Sequence, residues 1–224
     1  MRRYAAVLLD VDGTLVDSND AHAHCWVEAF AERDLDVSYA RVRRMIGMGG
    51  DRLIELVAGY PRDSKDSKRL GERRAELFLD KWLPQVKPLD GTRELLLRLR
   101  ADGYQYAIAS AAKAEELTPL LELAGIADLC DRITTSSDVT DSKPAPDTIE
   151  AALGRVSVDR HRVVMIGDTP YDVEAARGAN VDIIGVTTGG WSQESLAGAI
   201  EVYAGPAGLL ANWGQATLGQ PGGG

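Results

Sequence analysis

Residues Tyr4-Ala5-Ala6-Val7-Leu8-Leu9 form an apolar run that stops at two carboxylates, Asp10 and Asp12, followed by Gly13 and Thr14. Such a run reads as a strand buried on both faces, as in a parallel sheet, and this commits the chain to an α/β fold. Residues two apart in a strand point the same way. Asp10 and Asp12 therefore both face the crevice beyond the strand's carboxyl end, where open α/β sheets bind ligands. Two acids this close repel each other unless a cation or a shared proton intervenes. A hard dication with oxygen ligands, Mg²⁺ above all, is the natural partner. Gly13 permits a tight turn, and the backbone N–H groups after it can cradle an anion.

From residue 17 to about residue 85 the pattern turns almost wholly helical. Ala21, Cys25, Ala29 and Phe30 recur at helical spacing, and Ser38 caps a second helix. A glycine-rich break, Gly47-Met48-Gly49-Gly50, precedes a helix over 52–58, and a long amphipathic helix reaches about Trp82. Pro84 and Pro88 mark the boundary. Beyond it strands at 104–110, 132–135, 163–168 and 182–186 alternate with helices over 91–100, 114–124, 146–153 and 171–177, then 195–199 and 206–213. Alternation of this kind implies a doubly wound parallel sheet with helices on both faces. The expected organisation is an α/β core of residues 1–16 and 86–213, an inserted all-helical cap of residues 17–85, and a disordered Gly-rich tail, 214–224.

Parallel strands share a direction, so Asp10/Asp12, Ser110 and Asp168, each at the end of an apolar strand, gather at one sheet edge. Taken singly these residues have ordinary explanations. Asp-x-Asp-Gly-Thr can be a turn, Ser110 a helix cap, Lys143 a solvated charge, and Asp168 and Asp172 capping acids. Their recurrence at strand ends argues for a shared site. Lys143, in a loop stiffened by Pro144 and Pro146, supplies positive charge. Asp172 lies one helical turn after Asp168, on the same side.

The strings Asp10-Val-Asp12-Gly-Thr14, strand-terminal Ser110, Lys143-Pro-Ala-Pro-Asp147 and Gly167-Asp168-x-x-x-Asp172 resemble, in order, the four motifs of the haloacid dehalogenase superfamily. The helical insertion resembles the caps of its phosphoglycolate phosphatase and β-phosphoglucomutase members. The resemblance implies a Rossmann-like core and a Mg²⁺-dependent phosphatase acting on a small phosphorylated metabolite, with catalytic roles for Asp10, Asp12, Ser110 and Lys143. Asp10 is then the nucleophile that forms an aspartyl-phosphate, Asp12 the general acid and base, and Lys143 the charge that neutralises both the nucleophile and the phosphoryl group. Metal ligation falls to the side chains of Asp10 and Asp168, to the Asp12 backbone carbonyl, and to Asp172 directly or through water. Gly13, Thr14, Ser110, Ala111 and Lys143 are the expected phosphate contacts, with Gly49 and Arg52 of the cap, and Arg44 a further candidate for substrate charge.

Departures narrow the choice. An acid at position 12 disfavours dehalogenation, which has no alcohol leaving group to protonate. The stretch 17–60 contains no lysine for phosphonatase chemistry. A mutase resemblance is weakened because an apolar residue replaces the lysine of mutase-like caps around the loop 45–52, with only Arg44 and Arg52 nearby, and because no asparagine follows Lys113. Phosphosugar mutase remains the alternative, and a catalytically inactive binding member the remote one. His22 and His24 lie just after the first motif with no third ligand at metal spacing, so at least one is expected at the surface. Trp26, Met45 and Met48 read as packing. The net charge of -9 disfavours nucleic acid and anionic membranes as partners. Two cysteines, an apolar start interrupted by acids, and no membrane-length stretch point to the cytoplasm. The expected state is a monomer or weak homodimer.

Overall fold

The computed structural model describes residues 2–220. Its core is a six-stranded, all-parallel sheet in the order β5-β4-β1-β6-β7-β8. The strands are β1 (Ala6–Leu9), β4 (Gln105–Ala109), β5 (Ile133–Thr134), β6 (Val163–Gly167), β7 (Asp182–Val186) and β8 (Glu201–Tyr203). Strand alternation divides the core in two. Val7, Leu9, Tyr106, Ile108, Val164 and Ile166 pack on α5 (Thr92–Ala101), α6 (Ala114–Leu123) and α9 (Pro206–Ala211). Ala6, Leu8, Ala107, Val163 and Met165 pack on α7 (Asp147–Leu153) and α8 (Pro170–Gly178). Both faces are dry, which is why β1 and β6 read as unbroken apolar runs.

Between β1 and β4 the chain leaves the sheet for α1 (Asn19–Ala31), α2 (Tyr39–Arg43), α3 (Gly50–Ala58) and α4 (Lys65–Leu77). Their own core joins Trp26, Phe30, Val42, Ile46, Leu53, Ile54 and Leu70. Helix α4 is extended by a π-helical turn, Phe78–Trp82, whose buried Phe78 packs into the main core. The two crossings into this helical unit pair as an antiparallel ribbon, β2 (Val16–Asp17) with β3 (Lys87–Pro88). Neither two-residue strand is long enough to show periodicity in sequence. The edge strand β8 is equally short, and the helix expected over 195–199 reduces to a 3₁₀ turn at Glu194–Leu196.

The C-terminal segment departs from expectation. Trp213, Ala216 and Leu218 are buried in the main core. Tyr104 donates to the Leu218 carbonyl at 2.6 Å, and Glu201 accepts from the Thr217 backbone N–H at 3.0 Å. As far as Gln220 the chain is therefore structured. Its glycine and glutamine content masked three apolar anchors spaced two or three residues apart. Residues 221–224, the remainder of the expected disordered tail, lie outside the described residues. No helix among the described residues is long and apolar enough to cross a membrane.

Candidate active site

β1 lies between β4 and β6, where the strand order reverses, so the crevice at its carboxyl end is the binding position such a sheet provides. Asp10 follows β1 directly and is tied to the sheet by its N–H, which donates to the Ile166 carbonyl at 3.0 Å. Ser110 follows β4 and Asp168 follows β6. Lys143, from the loop before α7, reaches Asp10 Oδ1 at 2.5 Å and Asp172 Oδ1 at 2.7 Å. Residues 133 positions apart are thus in contact, and all of them are buried.

Carboxylate oxygens of Asp10, Asp168 and Asp172 lie within 4.8 Å of one another. Burial pushes Asp10 up to about 7, with Asp172 adding and Lys143 opposing. Burial, then Asp172 and Asp10, drive Asp168 well above the usual carboxylate range, against Asn19 and Lys143. Burial disfavours the Lys143 charge, but the two acids beside it outweigh that and hold the ammonium above its ordinary range. Three buried acids against one lysine leave negative charge in excess. A hard, oxygen-preferring dication is the group that relieves it. The donor set fits Mg²⁺.

The backbone is shaped for this packing. Gly13 has φ +76°, and a Cβ there would clash with the Asp168 carboxylate and the Asn19 amide. Thr14 Oγ1 stands 3.2 Å from both Asp10 Oδ2 and Asp168 Oδ1, and Asn19 Nδ2 donates to Asp168 Oδ2 at 2.9 Å. Asp172 doubles as a helix cap. Its Oδ2 accepts from the Thr169 N–H at 3.0 Å and from the Thr169 hydroxyl at 2.7 Å. The Asp12 side chain is not one of the trio; it accepts hydrogen bonds from Ser18 and from His22 Nε2, the latter at 2.9 Å. Burial pushes Asp12 up, but His22, Ser18 and Arg74 outweigh it and hold it at about 2.

Above Asp10 lies a cavity of about 140 Å³. Asp10, Asp12, Ser110, Ala111 and Lys143 form its floor, and Gly49 belongs to its roof. Gly13 and Thr14 sit beneath the acids rather than on the wall. Arg52 is turned out to Asp141 at 3.2 Å, so it is not part of the wall either; its charge has a nearer partner there. Arg44 also stays off the wall, its carbonyl accepting from the Tyr171 hydroxyl at 2.8 Å. His22 lines the cavity, while His24 is stacked against Trp82 with ring centroids 4.6 Å apart. Trp26 both packs in the helical unit and lines the cavity.

The helical unit is closed on the core. Gly49 N–H donates to the Lys143 carbonyl at 3.2 Å, the Ser142 hydroxyl to Asp51 Oδ1 at 2.6 Å, and Arg43 to the Gly189 carbonyl at 2.7 Å. Gly47 and Gly49 are therefore contact positions rather than a mere flexible turn. A Cβ on Gly47 would come 2.6 Å from Thr169 Cγ2, and one on Gly49 would clash with Ser142. Sequence reasoning missed Ser18, Asn19, Arg74 and Glu116. The first two lie six and seven residues after Asp12, at the start of a helix. Arg74 and Glu116 meet only through the fold.

The model of the haloacid dehalogenase-like hydrolases matches residues 7–186. A phosphoglycolate phosphatase of Rhodospirillum rubrum is 30% identical over 208 residues, covering 88% of this chain and 86% of its own. The N-acetylmuramic acid 6-phosphate phosphatase of Pseudomonas aeruginosa is 27% identical over 188 residues, covering 84% and 83%. Among solved structures, a hydrolase from Pseudomonas syringae superposes with a TM-score of 0.85 at 29% identity over 94% of this chain and 98% of its own. The β-phosphoglucomutase of Clostridium difficile shares the fold, with a TM-score of 0.83 at 19% identity over 96% and 97%. Motif order, sheet topology and the match over 7–186 agree: this chain belongs to the haloacid dehalogenase-like hydrolase family.

Proposed function

We propose that the chain is a Mg²⁺-dependent phosphatase of small phosphate monoesters that works through an aspartyl-phosphate on Asp10. The observation that carries this reading is the contact of Asp10 with Lys143 at the floor of the cavity, beside two further buried acids. The side chains of Asp10, Asp168 and Asp172 would hold the ion, with the Asp12 carbonyl as the remaining protein ligand. When bound, Mg²⁺ supplies positive charge against the acids and the phosphoryl oxygens.

Lys143 holds the Asp10 carboxylate in place and offsets its repulsion from an incoming phosphate. The Ser110 hydroxyl and the Ala111 N–H, on the same floor, donate toward phosphoryl oxygens. The negative charge of a phosphate placed beside Asp12 raises its proton affinity, which readies it to protonate the leaving oxygen. Once that alcohol departs, His22 and Ser18 favour the Asp12 carboxylate, the form that takes a proton from the hydrolytic water. The mutase alternative needs a cation for a second phosphoryl group. Arg52 is engaged by Asp141 outside the cavity and Arg74 by Glu116, which favours hydrolysis.

The test is phosphate release from p-nitrophenyl phosphate and acetyl phosphate with and without Mg²⁺. The expected result is Mg²⁺-dependent turnover that Asp10→Asn abolishes. Isomerisation of glucose 1-phosphate without net phosphate release would instead favour the mutase.

A further inference from the structure

The cavity above Asp10 holds a second charged pair, which reaches the phosphoryl chemistry only indirectly, through the field of Arg74 on Asp12 and its contact with His22. Arg74 of α4 and Glu116 of α6 meet across the boundary between helical unit and core. Arg74 Nη1 is 2.5 Å from Glu116 Oε2, and Nη2 is 3.3 Å from Oε1. Both line the inner cavity and an outer cleft of about 480 Å³ that opens from it. Glu116 is 2% exposed, and Trp26 lies under the Arg74 guanidinium at 5.2 Å.

This pair lies on the wall that a leaving group must cross. Resting on the monoesterase reading above, we infer that the leaving group is an uncharged polyhydroxyl such as a sugar, and that Arg74 and Glu116 are its specificity-determining residues. Three observations converge. First, among the described residues the inner cavity has no cation to spare. Lys143 is held by Asp10 and Asp172, Arg74 by Glu116, and His22 faces Asp12 through Nε2 and Arg74 through Nδ1. A carboxylate on a short leaving group would stand against Glu116 without compensation, a costly position in a desolvated site. Secondly, a side-by-side guanidinium and carboxylate offer N–H donors and oxygen acceptors together. Hydroxyl groups, each donor and acceptor, match that pattern. Thirdly, the outer cleft gives room beyond a two-carbon alcohol, its volume falling in the range of roughly 300–1,000 Å³ usual for small-molecule sites. The lysines of this region, Lys68 and Lys113, line only that outer cleft.

The consequence is a preference opposite to that named for the Rhodospirillum rubrum relative. The experiment compares kcat/KM for ribose 5-phosphate and glucose 6-phosphate with that for phosphoglycolate, using acetyl phosphate to establish basal turnover. The wild-type protein is expected to favour the better sugar phosphate by ~10-fold or more. Glu116→Gln keeps the shape but frees the guanidinium, and should move the ratio ~10-fold or more toward phosphoglycolate. Arg74→Gln leaves Glu116 uncompensated and should move it the opposite way. Because each ratio is measured within one variant, a general loss of activity cancels. Damage to packing alone would move both variants in the same direction. If Glu116→Gln does not fold, the Arg74→Gln ratio carries the test. Faster turnover of phosphoglycolate by the wild type, or a ratio unmoved by either substitution, overturns the inference and leaves the phosphatase reading intact. Absence of Mg²⁺-dependent turnover of acetyl phosphate overturns both.

Discussion

Asp10 and Asp168 show what the fold does to single residues. With Asp10 pushed up to about 7 in the folded chain, the unfolded chain releases its proton near the ordinary carboxylate range while the folded one keeps it. Folded and unfolded forms are equally protonated below that range. As pH rises from about 4 through 7, the magnesium-free protein therefore loses stability from this group. Asp168 acts in the same direction. Mg²⁺ held by these carboxylates would compete with those protons, so its stabilising effect should grow with pH. Thermal melts should show a small Mg²⁺ shift at pH 5.5 and one of roughly 5–10 °C at pH 8 with Mg²⁺ at 100 times its Kd. Asp168→Asn should erase that shift, whereas an equal shift at both pH values would contradict the linkage. Asp10→Asn should lower kcat by at least ~10⁴-fold while far-ultraviolet circular dichroism stays native. Asp10, Lys143, Asp168 and Asp172 were legible in the sequence because strand direction and motif spacing predict their meeting. Arg74 and Glu116 were not, because nothing local marks an arginine on one amphipathic helix as the partner of a glutamate on another.

Among the elements, the loop between α2 and α3 is the most demanding. Gly47 has φ +106° and sits against Thr169, directly beside the acid trio. Gly47→Ala should obstruct closure and lower kcat/KM by ~10–100-fold, since misplacement of about an ångström at a reacting site costs that much. Melting should change far less, because the hydrophobic contacts of both cores are untouched. A variant with wild-type kcat/KM would show that this close approach is dispensable. The long elements were readable: the buried strands by their apolar runs, and α3 and α4 by their periodicity. The π-helical turn after α4 was not, since its residues look like a continuing helix until Phe78 is seen to enter the main core.

At the scale of the whole molecule, the C-terminal residues matter more than their composition implies. Leu218→Ala removes a fully buried side chain and should cost about 2–4 kcal/mol, or roughly 5–15 °C in melting temperature. A melt within 1 °C of wild type, taking ~1 °C as well under the shift from one kcal/mol, would place Leu218 outside the cooperative core. Sequence reading failed there because glycine and glutamine dominated the window, while burial depended on Tyr104 and Glu201 far upstream. The β2–β3 ribbon has a different consequence. Val16 faces Pro88 and Asp17 faces Lys87, so the entire helical unit enters and leaves through one narrow doorway. The sheet that carries Asp10 is never cut by it. Any replacement insert whose two ends lie side by side can be hung from the same doorway, which leaves the roof of the cavity exchangeable while the acids and Lys143 beneath it stay fixed.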